Sequence, residues 1–423
     1  MPRGTDGGGS TVGGSVCTGE MSAGFRGLWF STGAANLGDG IALFLLPLLA
    51  IAVAASDAEV ALVTTAATLA WPLFGLHGGW IVDRVNRSVL LLSVNGTRGA
   101  MFAVVAFLQV RGELTVPLIL AAAVIYGVCE VLADTTLTSL VPALVDIRQR
   151  DGANARIEAT INFSNQLLGP PLAGLIAGIS LGLASTSSAA LYLLALAGLP
   201  FVAAALRRRP RPPRGSVDRR LRTGLVYLWR HPLLRPITIF TGLMNLVWSA
   251  WGAVFVLYAL GDEHLDLDAA GYGLILAGMA AGGLAASVLV PALARRFRMP
   301  PLLFLDTVTT ILLVAPAALG ANVWVTAAGV VLAGAGSSIW RILVATIRQN
   351  HTPEPLLGRV YSASRVVSWG ALPVGSALAS AVVGLWGLTA VFAAASVVAV
   401  IVAIWFAFVV WRLDFEPNTL AQK

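Results

Sequence analysis

Apolar stretches of about 20 residues follow one another along almost the whole of this 423-residue chain, separated by short polar joints. A helix rises 1.5 Å per residue, so about 20 apolar residues cross the ~30 Å hydrocarbon layer of a bilayer. The spacing therefore predicts an all-α membrane protein that crosses many times. Charge agrees: Asp, Glu, Lys and Arg make up 12% of the residues, about half the share in soluble domains, which excludes an ordinary water-soluble enzyme. A transmembrane β-barrel would need ~10-residue segments of alternating polarity, and the sequence contains none.

The stretches predict twelve helices. Six lie near 26–54, 59–81, 88–109, 115–142, 157–180 and 187–206, and six more near 236–260, 270–294, 301–320, 323–346, 357–383 and 388–411. One long polar interruption, 207–235, divides two six-helix bundles, 25–206 and 236–412, with tails at 1–24 and 413–423. The first 24 residues are rich in Gly, Ser and Thr and lack the basic and apolar regions of a secretory signal, so they read as a disordered tail before an uncleaved first span. Cys17 in the tail and Cys129 in a span offer no disulfide framework.

Cations sort the joints. Arg84 and Arg87, Arg148 to Arg156, Arg207 to Arg235, Arg295 to Arg298, Arg348 and Arg359, and Arg412 fall on alternate joints, while the opposite set holds Arg111 among Asp57, Glu59, Glu113 and the run from Asp262 to Asp268. Lys and Arg are retained on the cytoplasmic side, so an even number of spans with both termini inside accounts for the pattern and for the net charge of +7. The expected location is the plasma membrane of a bacterium, a source to which the Arg-rich, Lys-poor composition also points, and nucleic acid is not a partner. In the central joint the Pro-rich stretch from Arg207 to Arg214 should lie on lipid head groups. After it, Leu221, Leu225, Tyr227, Leu228 and Trp229 interleave with arginines as in a short interfacial amphipathic helix.

Two halves of equal size predict an internal repeat. In the fifth span Arg156 precedes Pro170 by fourteen residues, and in the eleventh Arg359 precedes Pro373 by the same interval. A fainter echo sets Gly127 and Asp134 in the fourth span beside Gly334 and Arg341 in the tenth.

The joint after the second span reads Gly75-Leu-His-Gly-Gly79-Trp-Ile-Val-Asp83-Arg84-Val-Asn86-Arg87. Gly79 permits close helix approach, Asp83 can accept from a helix N-terminus or an arginine, and Arg84 and Arg87 can pair with acids or lipid phosphate. This resembles the cytoplasmic signature of the major facilitator superfamily, Gly-x-Leu-x-Asp-Arg-x-Gly-Arg. Asn86 stands in place of the last Gly, a residue that tolerates a left-handed turn. The resemblance implies two six-helix bundles and a cytoplasmic gate at Gly79, Asp83, Arg84 and Arg87. Gly169-Pro170-Pro171-Leu172-Ala173-Gly174 is similar to the Gly-Pro-x-x-Gly-Gly element of antiporter branches, with Ala173 replacing one Gly. Small residues there allow tight packing and the prolines bend the helix. Asn36-Leu-Gly-Asp39-Gly40 with Pro47 resembles the first span of the drug- and siderophore-exporting branch, the type that includes the enterobactin and macrolide exporters. The likeness extends over residues 25 to 412. Related antiporters carry an Arg four residues before the fourth-span Gly, where this chain has Ala123, so their proton relay does not transfer.

An ionisable group within a span costs about 2.5 to 3.5 kcal/mol on insertion and is normally paired or functional. Asp39 is the leading candidate for proton coupling, with a structural ion pair to a buried arginine as the rival reading. Arg98, deep in the third span, needs a carboxylate. Glu130 and Asp134, four residues apart, share a helix face and can hold a proton between them. Asp134 and Arg341 are expected to pair across the cavity. Asp306 and Arg365 complete the set of intramembrane charges. Asn36, Asn162, Gln166 and Trp248 are candidates for the cavity wall. His264 lies in a flexible acidic loop that fixes no coordination geometry, so no metal site is expected. No Gly-rich phosphate loop, His-Glu-x-x-His or metal-spaced Cys pair is present.

These features point to a secondary transporter with no bound cofactor, powered by a proton gradient and working as a monomer. The expected function is export of a small amphipathic cargo, a drug, natural product or siderophore, by proton antiport. An importer or lipid flippase of the same fold, and a transport-inactive membrane sensor, are the alternatives.

Overall fold

In hydrocarbon no water is present to bond a backbone N–H or C=O, so an apolar segment that enters it must satisfy its own groups as a helix. The computed structural model describes residues 22–146, 149–208, 221–353, 356–409 and 412–413, without the side chains at 75–80, 83, 151, 208, 221 and 222. Among these residues the chain is helical and contains no strand. The tail at 1–21, most of the one at 413–423 and the polybasic part of the central joint at 209–220 lie outside the described residues.

The first half holds α1 (Ala23–Ala52), then a second span made of α2 (Asp57–Thr68) and α3 (Ala70–Arg84), then α4 (Arg87–Arg111) and α5 (Val116–Leu144). The fifth span is α6 (Arg150–Ile161), a π-helical segment Asn162–Leu168 and α7 (Gly169–Ile179). The sixth is α8 (Leu181–Ala195) and α9 (Leu199–Arg208), joined by a 3-10 turn. After α10 (Leu221–Arg230) the second half runs α11 (Leu234–Leu260), α12 (Ala269–Arg296), α13 (Met299–Ala318), α14 (Val323–Asn350), a span of α15 (Leu357–Trp369) and α16 (Ala371–Trp386), and α17 (Leu388–Val409). That makes twelve spans. Ten helical stretches are long and apolar enough to cross a bilayer unaided. The second and fifth, broken at Leu69 and at the π turn, are the two that fall outside that set.

Side-chain caps set several boundaries. Ser22 accepts from the Phe25 N–H, Ser56 and Glu59 form a reciprocal capping box, and Asp268 accepts from the Gly271 N–H at 2.7 Å. Ser180 caps the sixth span, which starts at Leu181 rather than near 187, and the fifth starts at Arg150 rather than near 157. The extra turn of the fifth span is polar or small, and the sixth opens on a mixed Leu, Gly, Ala, Ser and Thr stretch, so hydropathy alone places both starts late. Pro170 and Pro171 follow the π segment after one residue, Gly169; neither has an N–H to give to the preceding turn, and the wider π register accommodates the missing bonds.

The two halves touch at the end that carries the acidic loops. There α7 lies on α12, where a methyl at Gly174 would overlap the Ala269 carbonyl and one at Gly273 would meet the Pro170 carbonyl. On the other side α2 lies on α16, with Ser380 donating to the Ala58 carbonyl at 2.7 Å and Thr65 to the Ser376 hydroxyl at 2.9 Å. Toward the arginine-rich end the facing helices line a cavity of about 680 Å³. The helix α10 docks on the second half, where Leu228 is buried and the Tyr227 hydroxyl donates to the His351 carbonyl at 2.7 Å.

Candidate functional site

The cavity draws its wall from both halves. Trp29 of α1, Arg156 and Thr160 of α6, and Asn162, Phe163 and Gln166 of the π segment face Trp248 of α11, Ser287 of α12 and Ser337, Ser338 and Arg341 of α14. The π turn is what presents Asn162 and Gln166 together with Phe163, since it shifts the helical register between them. Asn162, Gln166, Trp248 and Arg341 thus reach the cavity. Asn36 does not line it: it is half-buried in α1 and donates to the Thr32 carbonyl at 2.9 Å, which satisfies its amide locally. Trp29 and Arg156 belong to the wall although neither was singled out for it. The indole of Trp29 donates to the Thr160 hydroxyl and ties α1 to α6.

A second feature lies inside the first half. Arg98 of α4 is 1% exposed and Asp39 of α1 is 3% exposed, and a guanidinium nitrogen lies 2.5 Å from the Asp39 carboxylate. The Tyr192 hydroxyl donates to the same carboxylate oxygen at 2.7 Å, and Asn95 accepts from Arg98 at 2.8 Å. Glu130 of α5 completes the group 3.3 Å from Arg98, with its side chain 27% exposed and the Tyr126 hydroxyl nearby at 3.4 Å. Glycine on either side of Asp39 makes the burial possible. At Gly38 the Tyr192 ring covers the helix, and at Gly40 the helix meets Asn165 and Gly169 of the fifth span backbone to backbone. Two carboxylates face one guanidinium, so with both carboxylates ionised the group would carry one negative charge in excess, which a single proton cancels.

Asp134, on the same face of α5 as Glu130, has a different partner. Arg365 of α15 reaches it across the interface between the halves at 2.9 Å, with its guanidinium over the rings of Trp71 and Trp369 at 4.6 and 4.1 Å. The expected pair of Asp134 with Arg341 does not form. Matching repeat positions put both residues at similar depth, but Asp134 faces α15 whereas Arg341 faces the cavity. Nor do Glu130 and Asp134 share a proton site, since each is held by a different arginine. Asp306 of α13 is 3% exposed, and one of its carboxylate oxygens has no hydrogen-bond partner among the described residues.

At the joint after α3, Arg84 is exposed and Arg87 opens α4 half-buried. The side chains of Gly79 and Asp83 lie outside the described residues. Asn86 has φ −66° and caps α4 by accepting from the Ser88 N–H at 3.1 Å, so it serves as a helix cap and not as a left-handed turn. Gly169, Pro170 and Gly174 are packing residues: Gly169 meets Gly40, and Pro170 and Gly174 meet the start of α12 in the other half. The His264 ring stacks on Tyr258 at 4.9 Å.

A family model described as Major Facilitator Superfamily matches residues 28–372. The enterobactin exporter EntS of Escherichia coli O1:K1 / APEC is 28% identical over 291 residues, 67% of this chain and 67% of its own. An uncharacterized MFS-type transporter of Sinorhizobium fredii, y4rN, is 26% identical over 295 residues, 68% of this chain and 70% of its own. Among solved structures, the nucleoside transporter NupG superposes with a TM-score of 0.71 at 13% identity, over 93% of this chain and 100% of NupG. A bacterial homologue of the iron transporter ferroportin in an inward-facing state gives 0.69 at 16% identity, over 92% of this chain and 98% of that one. At those identities the likeness is one of fold alone.

Proposed function

The chain belongs to the major facilitator superfamily, and from that premise we propose that it is a secondary active exporter that exchanges protons for a small amphipathic cargo by alternating access. The observation that carries this reading is the pairing of two features. One is a cavity between the halves, walled by aromatic rings and polar groups and sealed at the acidic-loop end. The other is a buried group, Asp39, Arg98 and Glu130, which sets two carboxylates against one guanidinium. A transporter driven by protons needs a site that gains and loses one proton out of reach of lipid, and this group supplies it. Asp39 is held by Arg98 and Tyr192 and serves as the fixed counter-ion, whereas the more exposed Glu130 exchanges the proton.

Alternating access then proceeds by rocking of the halves. With the arginine-rich joints on the cytoplasmic side, the cavity opens toward the cytoplasm and takes cargo from there. The contacts of α7 with α12 and α2 with α16 form the seal that must part for release. Export, rather than import, is favoured by the sequence similarity to the enterobactin exporter. Inside-out vesicles energised by respiration test the reading with three aromatic probes of one frame, an anion, a neutral amide and a quaternary ammonium. Uncoupler-sensitive accumulation of any of them supports it. Accumulation only in right-side-out vesicles, or flux indifferent to the proton gradient, overturns it.

A further inference from the structure

The wall of the cavity is charged, and the charge is divided between the halves. Arg156 on α6 and Arg341 on α14 are both exposed and both line it. Among the described residues neither makes an ion pair, and no Asp or Glu lines the cavity. The intramembrane carboxylates are committed elsewhere: Asp39 and Glu130 to Arg98, Asp134 to Arg365, while Asp306 is buried within the second half. What remains is two guanidiniums, hydroxyl and amide groups such as Thr160, Gln166 and Ser337, and the faces of Trp29, Phe163 and Trp248.

We infer that the cargo is an amphipathic organic anion, with a carboxylate, sulfonate or similar oxyanion on an aromatic or apolar frame. The inference rests on the transport reading of this cavity and narrows it. A guanidinium presents a planar fork of donors that matches an oxyanion, and the rings accommodate the apolar frame. A cationic amphipath would meet two like charges with no carboxylate to offset them, which is discrimination by repulsion. The placement on opposite walls adds a mechanical consequence. In the empty cavity the two arginines repel and hold the arginine-rich ends apart; an anion between them replaces that repulsion with one attraction to each half. Cargo of the right sign therefore draws the halves together, the closure that an alternating-access cycle requires.

The test uses purified protein in nanodiscs and three probes of one frame: 2-naphthalenesulfonate, 2-naphthalenesulfonamide and 2-naphthyltrimethylammonium, with affinity read by calorimetry. The sulfonate is expected to bind at least about tenfold more tightly than the neutral amide, and the ammonium least. Arg156→Gln and Arg341→Gln should each weaken sulfonate binding by about tenfold, equivalent to ~1.4 kcal/mol. The double variant should lose the preference, and the Lys variants should keep it. Unchanged affinity for the neutral amide shows that the Gln variants are folded, and where that affinity falls as well, a retained thermal midpoint does so. Ammonium binding as tight as sulfonate binding, no sulfonate binding at millimolar concentration, or a double Gln variant with its preference intact overturns the inference. Vesicle flux separates it from the reading beneath it. Charge preference without gradient-driven flux leaves the anion site standing and removes the exporter, whereas gradient-driven flux without charge preference does the reverse.

Discussion

The buried group in the first half makes a prediction that separates its two carboxylates. The side chains of Arg98 and Asp39 are 1% and 4% exposed, and removing one member of a buried ion pair costs about 3 to 5 kcal/mol because the other charge is stranded. Asp39→Asn keeps the shape of the side chain and a partner for Tyr192 but removes the charge. Glu130, 3.3 Å from the guanidinium, still compensates in part, so the expected loss is about 3 kcal/mol, the low end of that range. Glu130→Gln is different in kind. It leaves a balanced pair of Arg98 and Asp39, and its own side chain is 27% exposed, so the stability change should lie within about 1 kcal/mol of zero. Its effect falls on coupling, because the remaining group has no surplus charge for a proton to cancel. Two measurements on each variant decide the matter: reversible unfolding in detergent followed by tryptophan fluorescence, and probe flux in vesicles as a function of the imposed pH gradient. Asp39→Asn should be unstable, and Glu130→Gln stable but indifferent to the gradient. An Asp39→Asn protein as stable as the parent, or a Glu130→Gln protein whose flux still follows the gradient, refutes the assignment.

Three further outcomes follow from contacts elsewhere. Arg365→Gln removes a half-exposed ion pair worth about 0.5 kcal/mol and stacking on two rings worth about 1 kcal/mol; spin-label distances between α3 and α15 should broaden, Arg365→Lys should restore them only in part, and unchanged distributions count against the contact as a tie between the halves. Gly174→Leu places a side chain where the Ala269 carbonyl now lies, so the acidic-loop end should open and cysteines introduced there should label faster with a membrane-impermeant maleimide; unaltered labelling contradicts the seal. His231, between α10 and α11, has its proton affinity pushed below the ordinary imidazole value of 6.5, first by burial and then by the charge of His351. Its Nδ1 also accepts from the N–H groups of Leu233 and Leu234 at 3.2 Å, a bond the protonated ring cannot accept. A depressed value means that the neutral form stabilises the fold fully above 6.5 and that this contribution is lost as pH falls from there through the folded-state value. Hydrogen exchange of segment 221–237, corrected for intrinsic rates, should accelerate on acidification, and a pH-independent profile would falsify the linkage.

The twelve spans were legible in the sequence because hydrocarbon imposes one length and one backbone solution on every span. The site was legible residue by residue but not pair by pair. Arg98 read as too deep to lack a carboxylate, and the structure supplies two. The partner of Asp134 was misread because a repeat aligns depth along the membrane normal, whereas pairing depends on rotation about each helix, which a few degrees per residue decide. Tyr192 left no trace in the sequence as the donor to Asp39, since an aromatic phenol in a span resembles any interfacial tyrosine. The π turn is also invisible there. A proline pair lies just after it, but prolines are equally compatible with a simple kink.

That turn touches both features on which the proposed transport cycle rests. The buried charge group lies wholly within the first half, on α1, α4 and α5, and the cavity lies between the halves, so on the proposed reading proton and cargo do not meet at a common atom. The connection runs through two glycines. Gly40, next to Asp39, lies against Asn165 and Gly169, so the backbone that holds the carboxylate touches the backbone that carries Asn162, Phe163 and Gln166 into the cavity. π bulges recur at functional sites. On the proposed reading, protonating Glu130 frees Arg98 from α5 and leaves it paired with Asp39 of α1 alone, and the least regular stretch of backbone in direct contact with α1 at that level is the one that shapes the cavity wall. Coupling of this kind needs no shared ligand; the close backbone contact of Gly40 with Asn165 and Gly169 gives it a physical route.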